Sequence, residues 1–288
     1  MSDFQAGIFD KSRQHHVFLE FTLRPQVDTA ALKTLLARLR DTESGDCVVT
    51  LALGPAFWAR VDGQFSFPAF SLDDRLTSTQ ADLLVWIQGS DRGDLFDVAR
   101  SVRSSASDLC DVQLDLDGFV YHDSRDLTGF VDGIGNPKGD KAMAAALVPE
   151  GQHGAGGSFV LSQKWVHDLD RFEALPVPEQ EKIIGRTKAD AVEFDESVMP
   201  EDAHVGRTDV SHNGVPQKIW RRSVPYGNTA EHGLYFLAFS CELDRFDYLL
   251  KRMYGLTDDG IQDRLLDYSR AVTSSWWYAP TNEWLAAL

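Results

Sequence analysis

An α+β fold of two ferredoxin-like halves is what this sequence predicts, and three observations predict it. Runs with the β-branched and aromatic character of strands alternate with runs whose leucines recur at helical spacing. The order strand, helix, strands, helix, strand is met in the first half and again in the second. Between the two lies a Gly-, Asp- and Lys-rich stretch that belongs to neither pattern. The expected division is an N-terminal half over residues 1–125, a connecting segment over 126–157 and a C-terminal half over 158–288.

Taken in order, HVFLEFTL (His16 to Leu23) has strand composition. Past Pro25, ALKTLLARLRD places Leu32, Leu35, Leu36 and Leu39 on one helical face. LLVWIQ (Leu83 to Gln88) is a second strand, followed by a loop and a helix over Asp94 to Val102. DVQLDLDGFV (Asp111 to Val120) alternates as a strand does. In the second half SFVLSQ (Ser158 to Gln163) is a strand and Pro178 to Ile184 is helical. LYFLAF (Leu234 to Phe239) is again a strand and feeds a helix over Asp244 to Tyr254.

The 288 residues, 43% hydrophobic and 25% charged, are enough to bury a sizeable core. With 28 basic against 44 acidic residues the formal charge is -16, a field that repels nucleic acid and anionic membranes. No apolar run approaches the length of a membrane span, and the first residues show no secretory or twin-arginine leader. Cys47, Cys110 and Cys241 are odd in number and far apart, as reduced core thiols are, so a cytoplasmic protein is expected. No C-x-x-C is present for a thiolate zinc site or a thioether-linked haem.

The stretch RDLTGFVDGIGNPKGD, Arg125 to Asp140, sets Asp132 among Leu127, Phe130, Val131 and Ile134. Asp-Gly is a common turn pair, so Asp132 is either the cap of a bend or a carboxylate held in an apolar pocket. A phosphate loop is excluded, since the glycines lack G-x-G-x-x-G spacing and Pro137 stands where a helix would begin. A second constellation, DAHVGRTDVSHNGVPQKIWRRSVPYGN (Asp202 to Asn228), holds two histidines and the adjacent Arg221 and Arg222. An Asp in one apolar segment, an Arg in another and a His upstream of it are the parts a haem peroxidase needs. The imidazole ligates iron, the base moves a proton of peroxide and the cation polarises the O–O bond.

These residues resemble the dye-decolourising peroxidases over nearly the whole chain. The likeness begins at Gln5-Ala6-Gly7-Ile8-Phe9 and continues through Gly129-Phe130-Val131-Asp132-Gly133, the family's G-x-x-D-G signature, with Asn136-Pro137 after it. It runs on through Gly157-Ser158-Phe159, Gln163-Lys164-Trp165 and His204-Val205-Gly206-Arg207 to Ile219-Trp220-Arg221-Arg222-Ser223-Val224-Pro225-Tyr226-Gly227. The length and short N-terminus are similar to the compact bacterial B-type subgroup. The resemblance implies antiparallel sheets of the dimeric α+β barrel type and haem b held noncovalently, mainly by the C-terminal half. It implies His204 as the iron ligand, Asp132 as the distal carboxylate and Arg221 as the distal arginine, with Gly133, Asn136, Arg207 and Arg221 as cofactor contacts. Ser223 falls where many members have asparagine and others serine. The implied activity is reduction of hydrogen peroxide through an oxoferryl intermediate and oxidation of bulky phenolic, dye-like or lignin-related donors, by a self-associating, cytoplasmic enzyme.

Several alternatives stay open at this level. His212 is the rival of His204, although Ser211-His212-Asn213-Gly214 has the composition of a surface turn. Arg207, one helical turn after His204, meets either a haem propionate or an acid at the surface. Trp220 and the Trp276-Trp277-Tyr278 cluster either pack or relay electrons. The second functional class is a haem-binding or haem-handling protein with incidental peroxidase activity; such a carrier needs the axial His but neither Asp132 nor Arg221.

Overall fold

In the structure, a computed structural model that describes residues 3–42 and 45–288, the first half runs β1 (His15–Leu23), α1 (Thr29–Arg40), β2 (Val48–Leu53), α2 (Pro55–Val61), β3 (Leu83–Gly89), α3 (Arg92–Ala106) and β4 (Cys110–Phe119). Its strands lie in the antiparallel order β2-β3-β1-β4. The connecting segment carries α4 (Asp140–Ala146). The second half runs β5 (Ser158–His167), the short helices α5 (Leu169–Glu173), α6 (Val177–Ile184) and α7 (His204–Thr208), and a small hairpin of β6 (Ser211–His212) and β7 (Val215–Pro216). It ends with β8 (Trp220–Arg221), β9 (Val224–Gly227), β10 (His232–Ser240), α8 (Leu243–Met253), β11 (Ser269–Ala271), β12 (Ser275–Ala279) and α9 (Asn282–Ala286).

The second half repeats the order of the first. β8 and β9 both pair with β10, β11 and β12 both pair with β5, and β5 pairs with β10, so each short pair acts as one bent strand. Gly118 opposite Tyr226 joins β4 to β9, and Tyr278 opposite Leu53 joins β12 to β2. The two sheets thereby close into an antiparallel α+β barrel, the fold class the sequence predicts. The expected elements omit β2 and β12. VVTLAL is a short run, apolar but for Thr50, whose periodicity does not separate strand from helix, and the aromatics of SWWYA hide the alternation.

Strand alternation divides the side chains between two cores. Phe18, Trp86, Tyr226, Tyr235, Phe239 and Trp277 point into the barrel and fill it, with Phe18 stacked on Tyr235 at 3.9 Å between ring centroids. Glu20 is buried there too, where its Oε1 accepts from Tyr235 Oη at 2.6 Å and Ser162 Oγ at 2.9 Å. Burial pushes the Glu20 carboxyl up from its usual range, with the two hydroxyl bonds acting against that. The alternate residues point outward. In the first half Val17, Leu19, Phe21, Val85 and Ile87 meet α1 and α3, which bring Leu32, Leu35, Leu36 and Leu39, and Leu95, Val98 and Val102. Asp28 and Asp91 cap those helices by accepting from amides of the first turn. Trp276, Trp277 and Tyr278 are all buried in packing. No helix among the described residues is long and apolar enough to cross a membrane.

Candidate active site

The outward face of the second half is not filled in the same way. Between β5 and β10 on one side and α6, α7 and α8 on the other lies a cavity of about 1510 Å³, its mouth included. Leu161, Trp165, Leu234 and Phe236 form the sheet wall, and Phe246, Leu249, Leu250 and Met253 the helix wall. Into this apolar space project Asp132, Arg221 and His204, brought together from segments about 90 residues apart in the chain.

Asp132 answers both readings of its motif at once. Its Oδ1 accepts from the amide of Gly133 at 2.6 Å, while Oδ2 takes no hydrogen bond among the described residues. Gly133, at φ +78°, makes the bend that turns the carboxylate inward. The loop itself is tied by Arg125, whose Nη1 donates to the carbonyls of Gly129 and Lys188, both at 2.8 Å. Arg221 lies on β8, a strand of two residues. Its backbone is clamped by the side chain of Asn136, which donates Nδ2–H to the Arg221 carbonyl at 2.8 Å and accepts the Arg221 amide at 3.0 Å. The guanidinium Nε of Arg221 is buried and finds no partner among the described residues. A Cβ at Gly135 would come within 3.3 Å of Arg221 Nη2, so glycine there keeps the guanidinium its room.

His204 opens α7, and its Nδ1 lies 2.7 Å from Oδ2 of Asp263, which is fully buried. The other oxygen of Asp263 accepts the Leu265 amide at 2.9 Å. A carboxylate so held accepts the hydrogen bond of Nδ1–H, which fixes the tautomer and leaves the Nε2 lone pair for the cavity. His212, by contrast, is exposed in the β6–β7 hairpin, its ring tilted against that of Tyr248 at 4.1 Å between centroids, and lines no part of the cavity.

Arg207, named among the expected cofactor contacts, is not among the residues that line the cavity. It is 1% exposed and turned away from the cavity, with Nη1 and Nη2 on the two oxygens of Asp259 at 2.8 and 3.0 Å and Nε on the carbonyl of Arg252 at 3.1 Å. The ion pair consumes its planar face, so it braces α7 against the turn after α8. The Arg207 hydrogen bond is also the first cause that holds the Asp259 carboxyl well below the usual carboxylate range. Gly133 and Asn136 stand behind the Asp132–Arg221 wall, lining a smaller recess with Ser223, not the cavity. Arg222 points the other way from Arg221, to the carbonyls of Gly7 and Ile8.

Sequence reasoning missed Asp263 and three further cavity residues. Asp126 and His167 pair at 3.1 Å, and His167 also meets Ser269 at 2.7 Å. Burial works against the Asp126 charge, but the His167 charge and the hydrogen bonds of His167 and Thr128 bring it down to about 2. Arg186 lines the same wall, with Nη2 on Glu193 at 2.6 Å.

The pattern of the C-terminal domain of Dyp-type peroxidases matches residues 123–284. The chain is 36% identical over 212 residues to the dye-decolorizing peroxidase of Mycobacterium tuberculosis, across 72% of this chain and 63% of that one. It is 37% identical to that of Mycolicibacterium paratuberculosis, across 72% and 60%. It thus spans less than two thirds of the length of these relatives. Among solved structures, a putative dyp-type peroxidase of Shewanella oneidensis superposes with a TM-score of 0.91 at 31% identity, covering 100% of this chain and 99% of that one. A DypB variant of Rhodococcus jostii RHA1 in complex with heme gives 0.90 at 29% identity, covering 99% and 98%.

Proposed function

The chain belongs to the Dyp-type peroxidase family, and from that premise we propose that it is a haem peroxidase that reduces hydrogen peroxide and oxidises bulky aromatic donors. One observation carries the reading. A single apolar cavity has an imidazole lone pair on one wall and, on another, a carboxylate oxygen and a buried guanidinium N–H with no protein partner. The residues fit a haem: one imidazole can hold an iron whose other positions are filled by a macrocycle, and apolar walls suit the macrocycle's faces. That the matched Rhodococcus structure is a heme complex supports the same cofactor here, bound noncovalently.

Haem, when bound, supplies the two-electron reduction of peroxide and the one-electron oxidation of donors. The chain's own part is to hold and polarise. His204 holds the iron through Nε2, and Asp263 keeps the ring oriented and raises its basicity. Oδ2 of Asp132 accepts a proton from peroxide and returns it to the departing oxygen, while Arg221 meets the charge that grows there. The leucine and phenylalanine walls exclude water from both. A mere carrier would need only the first of these groups, which is why Asp132 and Arg221 favour an enzyme. The relatives' name supports dyes as donors; phenolic and lignin-related compounds are of the same chemical class. The three free cysteines support a reducing, cytoplasmic setting, and self-association belongs to the same proposal.

The test is stopped-flow mixing of the haem-loaded protein with peroxide, followed by the change in haem absorbance from about pH 4 to 8. Arg221→Leu and Asp132→Asn should each slow the reaction by ~10²–10⁴-fold while haem stays bound. If both variants react at the native rate, these residues do not carry the chemistry.

A further inference from the structure

The wall formed by Asp132 and Arg221 has a second side. Behind it lies a recess of about 610 Å³, mouth included, whose lining departs sharply from a chain of formal charge -16. Lys11, Arg221 and Arg222 all line it, and Asp132 is the one carboxylate among its lining residues. Arg13 and Arg125 line it as well but are already paired with Asp10 and Asp123.

Two of these groups are unusual. Arg222 is 7% exposed, yet its Nη1 and Nη2 donate only to the neutral oxygens of Gly7, Ile8 and Gln88, at 2.9–3.0 Å. No carboxylate pairs with it among the described residues, although a buried charge normally demands one. Burial alone draws its pKa down to about 9, which leaves it a cation at neutral pH. His16 is 2% exposed, and its Nδ1 accepts from the indole N–H of Trp86 at 3.1 Å. An indole only donates, so the neutral ring carries its proton on Nε2, and that buried N–H has no acceptor among the described residues. Burial, then the Arg222 charge, holds the His16 pKa at about 3, so the ring is neutral. Partial burial lowers Lys11, and the Arg222 charge adds to it, with Asp132 acting against both.

We propose that this recess binds a small monocarboxylate, between Lys11, His16 and Arg222, on the side of Arg221 that faces away from the cavity. Three cations against one carboxylate exclude a cationic ligand, and Asp132 disfavours a doubly charged anion such as phosphate. An unpartnered imidazole N–H and a cation without a counter-charge are the donors a carboxylate satisfies. The site does not depend on a bound cofactor.

The experiment is equilibrium dialysis of the purified full chain against ¹⁴C-acetate at fixed ionic strength set with chloride. Acetate should bind saturably at one equivalent. Lys11→Gln, a change to an exposed side chain, should weaken it about three- to tenfold. Arg222→Gln should abolish it, with circular dichroism confirming the fold; Lys11→Gln alone decides should that variant not fold. Lys218→Gln, which alters the cavity wall instead, should leave the affinity within about twofold. Unsaturable binding, or equal affinity in the wild type and Lys11→Gln, would overturn the proposal.

Discussion

The two halves share one topology and use its outer layer for opposite ends. In the first half α1 and α3 sit directly on the sheet, and Leu32, Leu35, Leu36, Leu39, Val98 and Val102 are at most 1% exposed in a continuous aliphatic core. In the second half α8 presents Phe246, Leu249 and Leu250 to the corresponding sheet face, but those side chains border a cavity. The short helices α6 and α7 border the same cavity with Ile184, His204, Val205 and Thr208. The same βαββαβ frame is therefore a core on one side and a vessel on the other. Chemistry belongs to the half that leaves volume unfilled, which is a property of the side chains and not of the fold.

The largest effect that would test this division is loss of cofactor. His204→Ala should lose most bound haem on purification, because the iron bond and ring orientation cannot be replaced by apolar walls alone. His212→Ala, on the exposed hairpin, should retain it. Absorbance of the purified proteins, normalised to polypeptide, decides the matter, and a colourless His212→Ala beside a coloured His204→Ala would reverse the assignment.

Packing comes next. Leu36→Ala, in the filled first half, should cost ~2–5 kcal/mol of stability, since it creates a void among atoms that cannot follow. Leu249→Ala enlarges a space that already exists and should cost the cofactor-free protein under about 1.5 kcal/mol. Urea denaturation of both variants gives the two values, and equal costs would mean that the second half is packed as tightly as the first.

The charged wall has its own signature. Asp126 sits at about 2 in the fold, against ~3.9 for an unperturbed aspartate. A depressed carboxyl stabilises the fold above its unfolded value, and that stability is lost as pH falls from about 4 towards 2. At neutral pH the contribution is at most on the order of 2–3 kcal/mol. Asp126→Asn should therefore lie below the wild type at pH 7 and converge on it near pH 2 in denaturation midpoints. A constant gap across that range would assign the loss to packing instead.

The fold was legible, and so were three residues that line one cavity, while their supports were not. The duplicated pattern shows because strand and helix periodicities are local properties, and Asp132, His204 and Arg221 stand in motifs. Asp263 reaches His204 across 59 residues and Asp126 reaches His167 across 41, distances over which no local pattern operates. Each is one acid among 44, distinguished only by where the chain folds back. Arg207 shows the converse, because helical spacing from His204 is a correct inference about sequence neighbours. Its side chain nevertheless points to Asp259.

The smallest effect concerns how the vessel is braced. Asn136 belongs to the connecting segment, not to either half, yet it bonds both backbone groups of Arg221 as a neighbouring strand would. β8 is too short to hold that residue by its own ladder, with only Arg221 and Trp220 paired to β10. Asn136→Ala removes two hydrogen bonds from a nearly buried position and leaves the Arg221 carbonyl and amide to find other partners. The guanidinium would remain in the cavity but over a wider range of positions, and catalytic groups lose rate steeply when placement loosens. The reaction with peroxide should therefore slow about tenfold, less than for Arg221→Leu, with haem content and its resting spectrum unchanged. Asn136→Asp keeps the acceptor for the amide but sets a carboxylate against the Arg221 carbonyl, so it should not restore the rate. Native kinetics in Asn136→Ala would show that β8 holds Arg221 unaided. Loss of haem in that variant would show instead that the connecting segment supports the vessel itself, and the contrast between the halves would then extend to the segment that joins them.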